Sequence, residues 1–169
     1  LLARAETQLA EENYENAARY LGRYVGLRPD HNEIWAKFAN VIRDYVGEMR
    51  AEGDFNAQVF RRAYAISEEA LRRNPNDREL RRNAIDFAIQ NFRYPDAISH
   101  LKLLMKDQDA AHPELQVLLA ECYTRSGQEE KAVAILNGLT GFDRDNGSFD
   151  LATATSPENV EAYYLLGQI

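Results

Sequence analysis

Histidine and cysteine side chains are the groups of this sequence that could most readily act as nucleophiles, general bases or metal ligands. The three histidines, His31, His100 and His112, lie far apart, and none has a second ligand three or four positions later. The single cysteine, Cys122, lies in an amphipathic segment, as expected of a small packed side chain. The pattern predicts neither a catalytic pair nor a multi-cysteine zinc site.

Other sequence patterns of catalysis are also missing. The chain lacks the glycine-rich patterns that bind phosphate or dinucleotides and the Gly-x-Ser-x-Gly pattern of a nucleophilic serine. Carboxylate pairs such as Glu11–Glu12 and Glu68–Glu69 are adjacent, so their members point to different parts of a helix surface. We therefore predict a protein that is not an enzyme and that needs no metal or cofactor.

One arginine-rich run offers a different chemistry, the recognition of carboxylates. The run LRRNPNDRELRR, residues 71–82, contains five arginines, and a guanidinium group can bind a carboxylate through two parallel hydrogen bonds. The alternative is structural. Arg72 and Arg73 would then complement the dipole at the end of a helix, and the others would pair with nearby acids.

The total charge limits the class of partner. The formal net charge is -7, which argues against nucleic acid because phosphate binding needs a basic surface. No segment approaches the roughly 18 uninterrupted apolar residues of a membrane span. No signal peptide is recognisable at the start.

Small residues recur at regular positions and indicate how the chain is built. Ala17, Ala63, Ala97 and Ala132 each begin a similar apolar pattern, and the last two are 35 residues apart. A second series lies upstream of these, each member before its own partner: Ala5, Ala39, Ala84, Ala120 and Gly167. Two helices that cross closely need small residues at the contact, because large side chains would push the axes apart. The pattern predicts repeated helical hairpins.

The most regular of these repeats resembles the tetratricopeptide repeat family, whose unit of helix, turn and helix is about 34 residues long. The matching positions are Leu119–Ala120, Tyr123, Gly127, Ala132, Leu136 and Leu139. The resemblance continues at Tyr14, Ala17, Leu21, Leu27 and Pro29, and at Tyr163 and Leu166. It implies an all-α, right-handed α-α superhelix of about four hairpins plus a truncated helix.

The predicted fold is a single solenoid over residues 1–169, taken from a larger protein. Its repeats are predicted at about 1–29, 30–75, 76–110 and 111–143, with a partial repeat at 157–169. The sequence predicts no strands and these helices: 1–11, 14–27, 31–51, 55–74, 77–91, 94–107, 113–126, 128–140 and 157–169. Proline at 113 and 157 is expected at the first position of a helix.

Two segments depart from the repeat length. The second hairpin is about twelve residues longer than the others, so we expect both its helices to be extended and its tip to project by about 9 Å. A surplus also falls after the fourth hairpin, in the polar run 141–159. Asp143, Asp145 and Asp150 suggest calcium, but the spacing of glycine and glutamate does not fit an EF-hand, which favours a flexible surface loop.

In such solenoids the first helix of each hairpin lines the concave side, which implies a set of groove residues. They are Lys37, Asn40 and Arg43 in the second repeat, Arg78 and Arg82 in the third, and Glu121 and Arg125 in the fourth. Arg82 faces the groove in both registers considered for the third repeat, whereas Arg78 does so in one. Some family members bind a terminal carboxylate with Lys and Asn on the first helix, but here Leu2 and Glu6 stand there.

The resemblance implies a scaffold that binds a protein or peptide. The alternatives are an architectural or self-assembly module, or a regulatory region attached to an enzyme outside these residues. An end-to-end homodimer through residues 157–169 is a further expectation, since half of that amphipathic helix would otherwise lack a cover. A cytoplasmic location is favoured, with a periplasmic or membrane-tethered parent protein as the alternatives.

Overall fold

A computed structural model shows an all-α fold in which successive helices form antiparallel hairpins. The structure describes residues 1–106, 112–143 and 146–169. The described helices are α1 (Leu2–Ala10), α2 (Tyr14–Leu27), α3 (Asn32–Ala51), α4 (Ala57–Arg73), α5 (Arg78–Gln90), α6 (Tyr94–Leu104), α7 (Pro113–Arg125), α8 (Glu129–Thr140) and α9 (Val160–Leu166). The predicted helix end at 107, the repeat boundary at 110 and 111, and Asp145 lie outside the described residues.

The small residues predicted at the helix crossings are fully buried. Each pair joins the two helices of one predicted repeat: Ala5 and Ala17, Ala39 and Ala63, Ala84 and Ala97, and Ala120 and Ala132. A side chain no larger than a methyl group lets helix axes approach closely without leaving voids. The prediction was wrong at the last position, because Gly167 lies exposed at the end of α9 and Ala162 is the buried small residue there.

The chain divides into two compact units, Leu1–Phe92 and Arg93–Ile169. The boundary falls inside the predicted third repeat. The first unit contains α1 to α5, and each of these helices packs against the next. In addition, α3 contacts α5, so the first helices of two successive repeats are neighbours in this unit. The prediction of a single solenoid over all residues stays a prediction.

The second hairpin is extended in both helices, as predicted. Helix α3 has 20 residues and α4 has 17, against 13 in α5. The added turns bury Val46 and Met49 of α3 and Phe60 of α4. The apolar residues of the extension therefore pack mainly on each other, whereas Phe55 in the turn is exposed.

Each hairpin turn contains one residue with a positive φ. Gly53 and Gly127 occupy this position in the α3–α4 and α7–α8 turns, where glycine adopts the left-handed conformation without a steric penalty. Glu12 occupies it between α1 and α2, with φ of 54°. Phe92 adopts φ of 57° directly after α5. The chain therefore keeps one turn geometry with and without glycine.

The second unit contains α6 to α9 and one short β-hairpin, which corrects the prediction of no strands. Strand β1 (Phe142–Asp143) pairs antiparallel with β2 (Ser148–Phe149), and the two phenyl rings lie 4.8 Å apart. Two residues form each strand because Gly141, in a left-handed conformation, ends α8 and turns the chain back on itself. This hairpin belongs to the surplus segment predicted as a flexible loop.

The residues between β2 and α9 cover the end of α8, where a helix leaves its last carbonyl groups without partners. The hydrogen bonds run from Thr155 N to Gly138 O at 3.1 Å, from Ser156 N to Leu139 O at 2.8 Å, and from the Tyr163 hydroxyl to Thr140 O at 3.2 Å. The prediction that helix 157–169 starts at Pro157 was wrong. The Asn159 side chain caps α9 instead by accepting from Ala162 N at 2.9 Å.

Candidate peptide-binding face

Three of the predicted groove residues lie along one stripe of α3. Lys37, Asn40 and Arg43 follow each other at intervals of three positions, so one comes nearly every helical turn. All three are half-buried. Their placement follows from the rest of α3, whose apolar residues pack into the core of the first unit and leave this stripe at its surface.

The two cations of the stripe form ion pairs with neighbouring helices. Lys37 Nζ pairs with a carboxylate oxygen of Glu6 on α1. Arg43 Nη1 donates to Glu79 Oε1 on α5 at 2.6 Å, and Arg43 Nε donates to Asp44 Oδ1 at 3.0 Å. The stripe is thus connected to both adjacent first helices of the unit.

An amide pair occupies the centre of the stripe. Asn83 Nδ2 on α5 donates to Asn40 Oδ1 at 3.0 Å. Asn83 is buried, so its position is set by the packing of α5, whereas Asn40 is half-exposed. This hydrogen bond fixes the Asn40 amide with its Nδ2 group unpaired among the described residues. An oriented amide donor at a groove surface can bind a peptide carbonyl group.

The surrounding charges shift two pKa values. The hydrogen bond from Glu79 raises the pKa of Arg43, which keeps that side chain charged, while burial opposes the shift. Burial also raises the pKa of Asp86, although part of that side chain reaches the surface, and the nearby charges of Arg50 and Arg43 oppose this effect. The face is therefore strongly polar without an excess of one charge.

The other predicted groove residues lie elsewhere. Arg78 and Arg82 are exposed on the first half of α5. Glu121 and Arg125 belong to the second unit, where they face each other on α7 with 3.9 Å between Glu121 Oε1 and Arg125 Nε. The structure thus brings together only the α3 residues and, through α5, the segment that carries Arg82.

Several contributors to the face were missed by the sequence prediction. They are Glu6, Asp44, Glu79, Asn83 and Asp86. The four-residue spacing of Glu79 and Asn83 was a usable signal, since it places both on one side of α5. Choosing that side required the register of α5, which the sequence left open at Ala84.

Two arginines of the predicted arginine-rich run have the structural role that was weighed as the alternative. Arg73 pairs with Glu69 at 2.6 Å, and its guanidinium carbon lies 5.1 Å from the centre of the Trp35 ring. Arg72 pairs with Glu69 as well. Both also lie in the last turn of α4, where positive charge complements the helix dipole.

The groups examined for catalysis are not assembled into a site. His31 hydrogen-bonds through Nδ1 with the Tyr24 hydroxyl at 3.0 Å, and Cys122 is buried, which raises the pKa of its thiol to about 12. Within residues 1–106, 112–143 and 146–169, no group of three or more His, Cys, Asp or Glu is arranged to hold a metal ion. None of the helices in these ranges is long and apolar enough to span a membrane.

Two pockets open on the described surface, one in each unit. The pocket of the first unit, about 390 Å³, lies between the α1–α2 turn and the end of α3 and is lined mainly by glutamates together with Tyr14 and Tyr45. The pocket of the second unit, about 290 Å³, is mainly apolar and lies among Met105, Leu119 and Ile135. Neither pocket is lined by histidine or cysteine.

The helical hairpins and the polar face define the class as a helical-repeat protein with a surface suited to binding. Comparison with known proteins agrees. Residues 88–150 match a family model described as tetratricopeptide repeat. The resemblance inferred from the sequence is therefore confirmed.

Solved structures of MamA share this fold. One, titled MamA 41-end from Desulfovibrio magneticus RS-1, is 17% identical with a TM-score of 0.57, and the match covers 79% of this chain and 68% of that one. Another, titled MamA RS-1 ArsTM double mutant, is 16% identical with the same TM-score, and the match covers 79% of this chain and 67% of that one. No curated protein matches the sequence.

Proposed function

We propose that this chain is a scaffold that binds a protein or peptide partner and does not catalyse a reaction. Tetratricopeptide-like repeats in general support protein–protein interaction, and the described residues contain no assembled catalytic group. The binding surface we assign is the α3 stripe of Lys37, Asn40 and Arg43, together with Arg78 and Arg82 on α5. Glu121 and Arg125 would extend binding onto the second unit.

The observation that carries the proposal is the oriented amide at the centre of the stripe. A buried Asn83 that donates to the half-exposed Asn40 contributes little apolar packing, yet it leaves an Asn40 donor available at the surface. Flanking cations in reach of that donor provide the mixture of backbone and side-chain contacts that peptide recognition uses. The geometry fits a bound chain segment better than it fits a small substrate.

Selection from a displayed peptide library, followed by titration of the chosen peptide, tests the proposal. The double variant Asn40→Ala, Arg82→Glu should weaken binding by ten-fold or more, about 1.4 kcal/mol. The matched control is Arg61→Glu on the exposed side of α4, which should bind as the wild type does. Circular dichroism must show equal helicity in all three proteins. Equal affinity of the double variant and the wild type would remove the proposed surface.

Self-association through residues 157–169 is a second candidate, because α9 exposes apolar side chains on one face. Val160 and Tyr164, one helical turn apart, are 79% and 64% exposed. Such residues suit an end-to-end contact with a second copy, in which burial of apolar area favours association. Sedimentation equilibrium of the wild type and of Tyr164→Ser tests this candidate. A wild type that stays monomeric at high concentration would exclude it.

A further inference from the structure

The cations of the α3 stripe and the acids that neutralise them differ in how firmly they are held. The side chains of Lys37 and Arg43 are 33% and 39% exposed, whereas those of Glu6 and Glu79 are each 60% exposed. An exposed carboxylate gives up an ion pair at little cost, because water replaces the lost contact. The cations are therefore the fixed part of this face, and the two glutamates are exchangeable.

Arg43 would keep its orientation if Glu79 left. Asp44 holds the Nε and Nη2 atoms of Arg43, each at 3.0 Å, while Glu79 contacts the separate Nη1 atom. A guanidinium group held along one edge can bind a new carboxylate along the other. Glu79 therefore occupies a place that an acid from another molecule could take.

The same reasoning applies at the other end of the stripe. Glu6 approaches Lys37 from α1, and an ammonium group accepts a replacement carboxylate from many directions because its three donors rotate freely. Between the two cations, Asn40 presents an oriented donor. The face thus offers two exchangeable anion positions on either side of one position for a backbone carbonyl.

The spacing limits which segment can use both positions. Lys37 and Arg43 lie six residues apart on α3, about 9 Å along the helix axis. An extended peptide advances at most about 3.6 Å per residue, so its acidic residues must be about three or more positions apart to reach both cations without strain.

We propose that this face recognises an acidic segment of a partner protein, whose carboxylates replace Glu6 on Lys37 and Glu79 on Arg43. The partner's backbone carbonyl between them accepts from Asn40. Glu6 and Glu79 then act as internal competitors that occupy the site in the free protein. This inference rests on the proposed function, since it names the class of peptide that the same surface binds.

Fluorescence anisotropy with labelled synthetic peptides tests the competition. The probe is a short Gly/Ser-rich peptide that carries two glutamates at the required spacing, and its control has glutamine at both positions. The acidic probe should bind, more weakly as salt rises, and Arg43→Gln should reduce its affinity about ten-fold. Glu79→Gln should instead raise the affinity about two- to five-fold, because it removes the competitor.

Glu130→Gln, an exposed change on α8 with the same effect on net charge, separates competition from overall charge. It should leave the affinity within experimental error of the wild type. An equal gain in Glu79→Gln and Glu130→Gln, or equal binding of both peptides, would overturn the inference. The proposed function would survive that result if library-selected peptides still lost affinity in the Asn40→Ala, Arg82→Glu variant, so the two failures are distinguishable.

Discussion

Replacing Ser67 with alanine should stabilise the first unit. Ser67 lies at the position of α4 that corresponds to Leu21, Leu101 and Leu136, and like them it is fully buried. Its hydroxyl oxygen has no hydrogen-bond partner. A buried polar group without a partner costs about 1–3 kcal/mol relative to water, and alanine removes the hydroxyl without adding volume.

The expected gain combines two effects. Removal of the hydroxyl should contribute about 1 kcal/mol, at the low end of that range because the replacement leaves a small void. Alanine also has a higher helix propensity than serine, by up to about 0.5 kcal/mol. For a protein of this size, a gain of about 1 kcal/mol raises Tm by about 2–4 °C.

Ser99→Ala provides the matched control. Ser99 is also in a helix interior, but its exposed hydroxyl donates to Pro95 O at 2.9 Å. The helix-propensity gain is common to both substitutions, so their difference isolates the buried hydroxyl. Urea titration followed by circular dichroism measures both variants. If Ser67→Ala is no more stable than Ser99→Ala, the hydroxyl is satisfied and the reasoning is refuted.

Three further predictions use other features of the structure. Because burial raises the pKa of Cys122 to about 12, iodoacetamide at pH 8 should label this thiol only after urea unfolds the protein; rapid labelling of the native protein would contradict the burial. Gly141→Ala should cost more than about 2 kcal/mol, because its added Cβ would collide with the Asp150 carbonyl in a left-handed turn, whereas Gly127→Ala, with open space around it, should cost about 1 kcal/mol in urea titrations. Burial raises the pKa of Asp86 in the folded protein, so ionisation of Asp86 opposes folding; Asp86→Asn should therefore be the more stable protein at neutral pH, and this advantage should disappear as the pH falls below the ordinary aspartate value, as followed by thermal melts across pH.

The regular parts of the fold were predictable because they depend on side-chain size at fixed intervals. Ala132 and Ala120 could be assigned to one crossing from the sequence, since a helix contact selects small residues whatever surrounds it. The extended second hairpin was predictable for a similar reason, because residues such as Val46 continue an apolar stripe beyond the normal repeat length.

The irregular parts could not be predicted from local patterns. The start of α9 depends on Asn159, which competes with Pro157 as the cap and prevails because the preceding residues are already bonded to the end of α8. In the candidate site, Lys37 and Asn40 were identified from helix periodicity, but Glu6 and Asn83 reach them from other helices. Such contacts depend on how neighbouring helices are rotated and shifted against each other, which periodicity alone does not define.

Lysine footprinting of the complex with a library-selected peptide tests most directly whether the α3 stripe binds a partner. Acetylation of each lysine would be quantified by mass spectrometry with and without saturating peptide. Lys37 lies on the stripe, while the exposed Lys102 and Lys131 of the second unit serve as internal references. The account predicts that bound peptide lowers the acetylation rate of Lys37 several-fold and leaves both references unchanged. An unchanged rate at Lys37 in a saturated complex would contradict it.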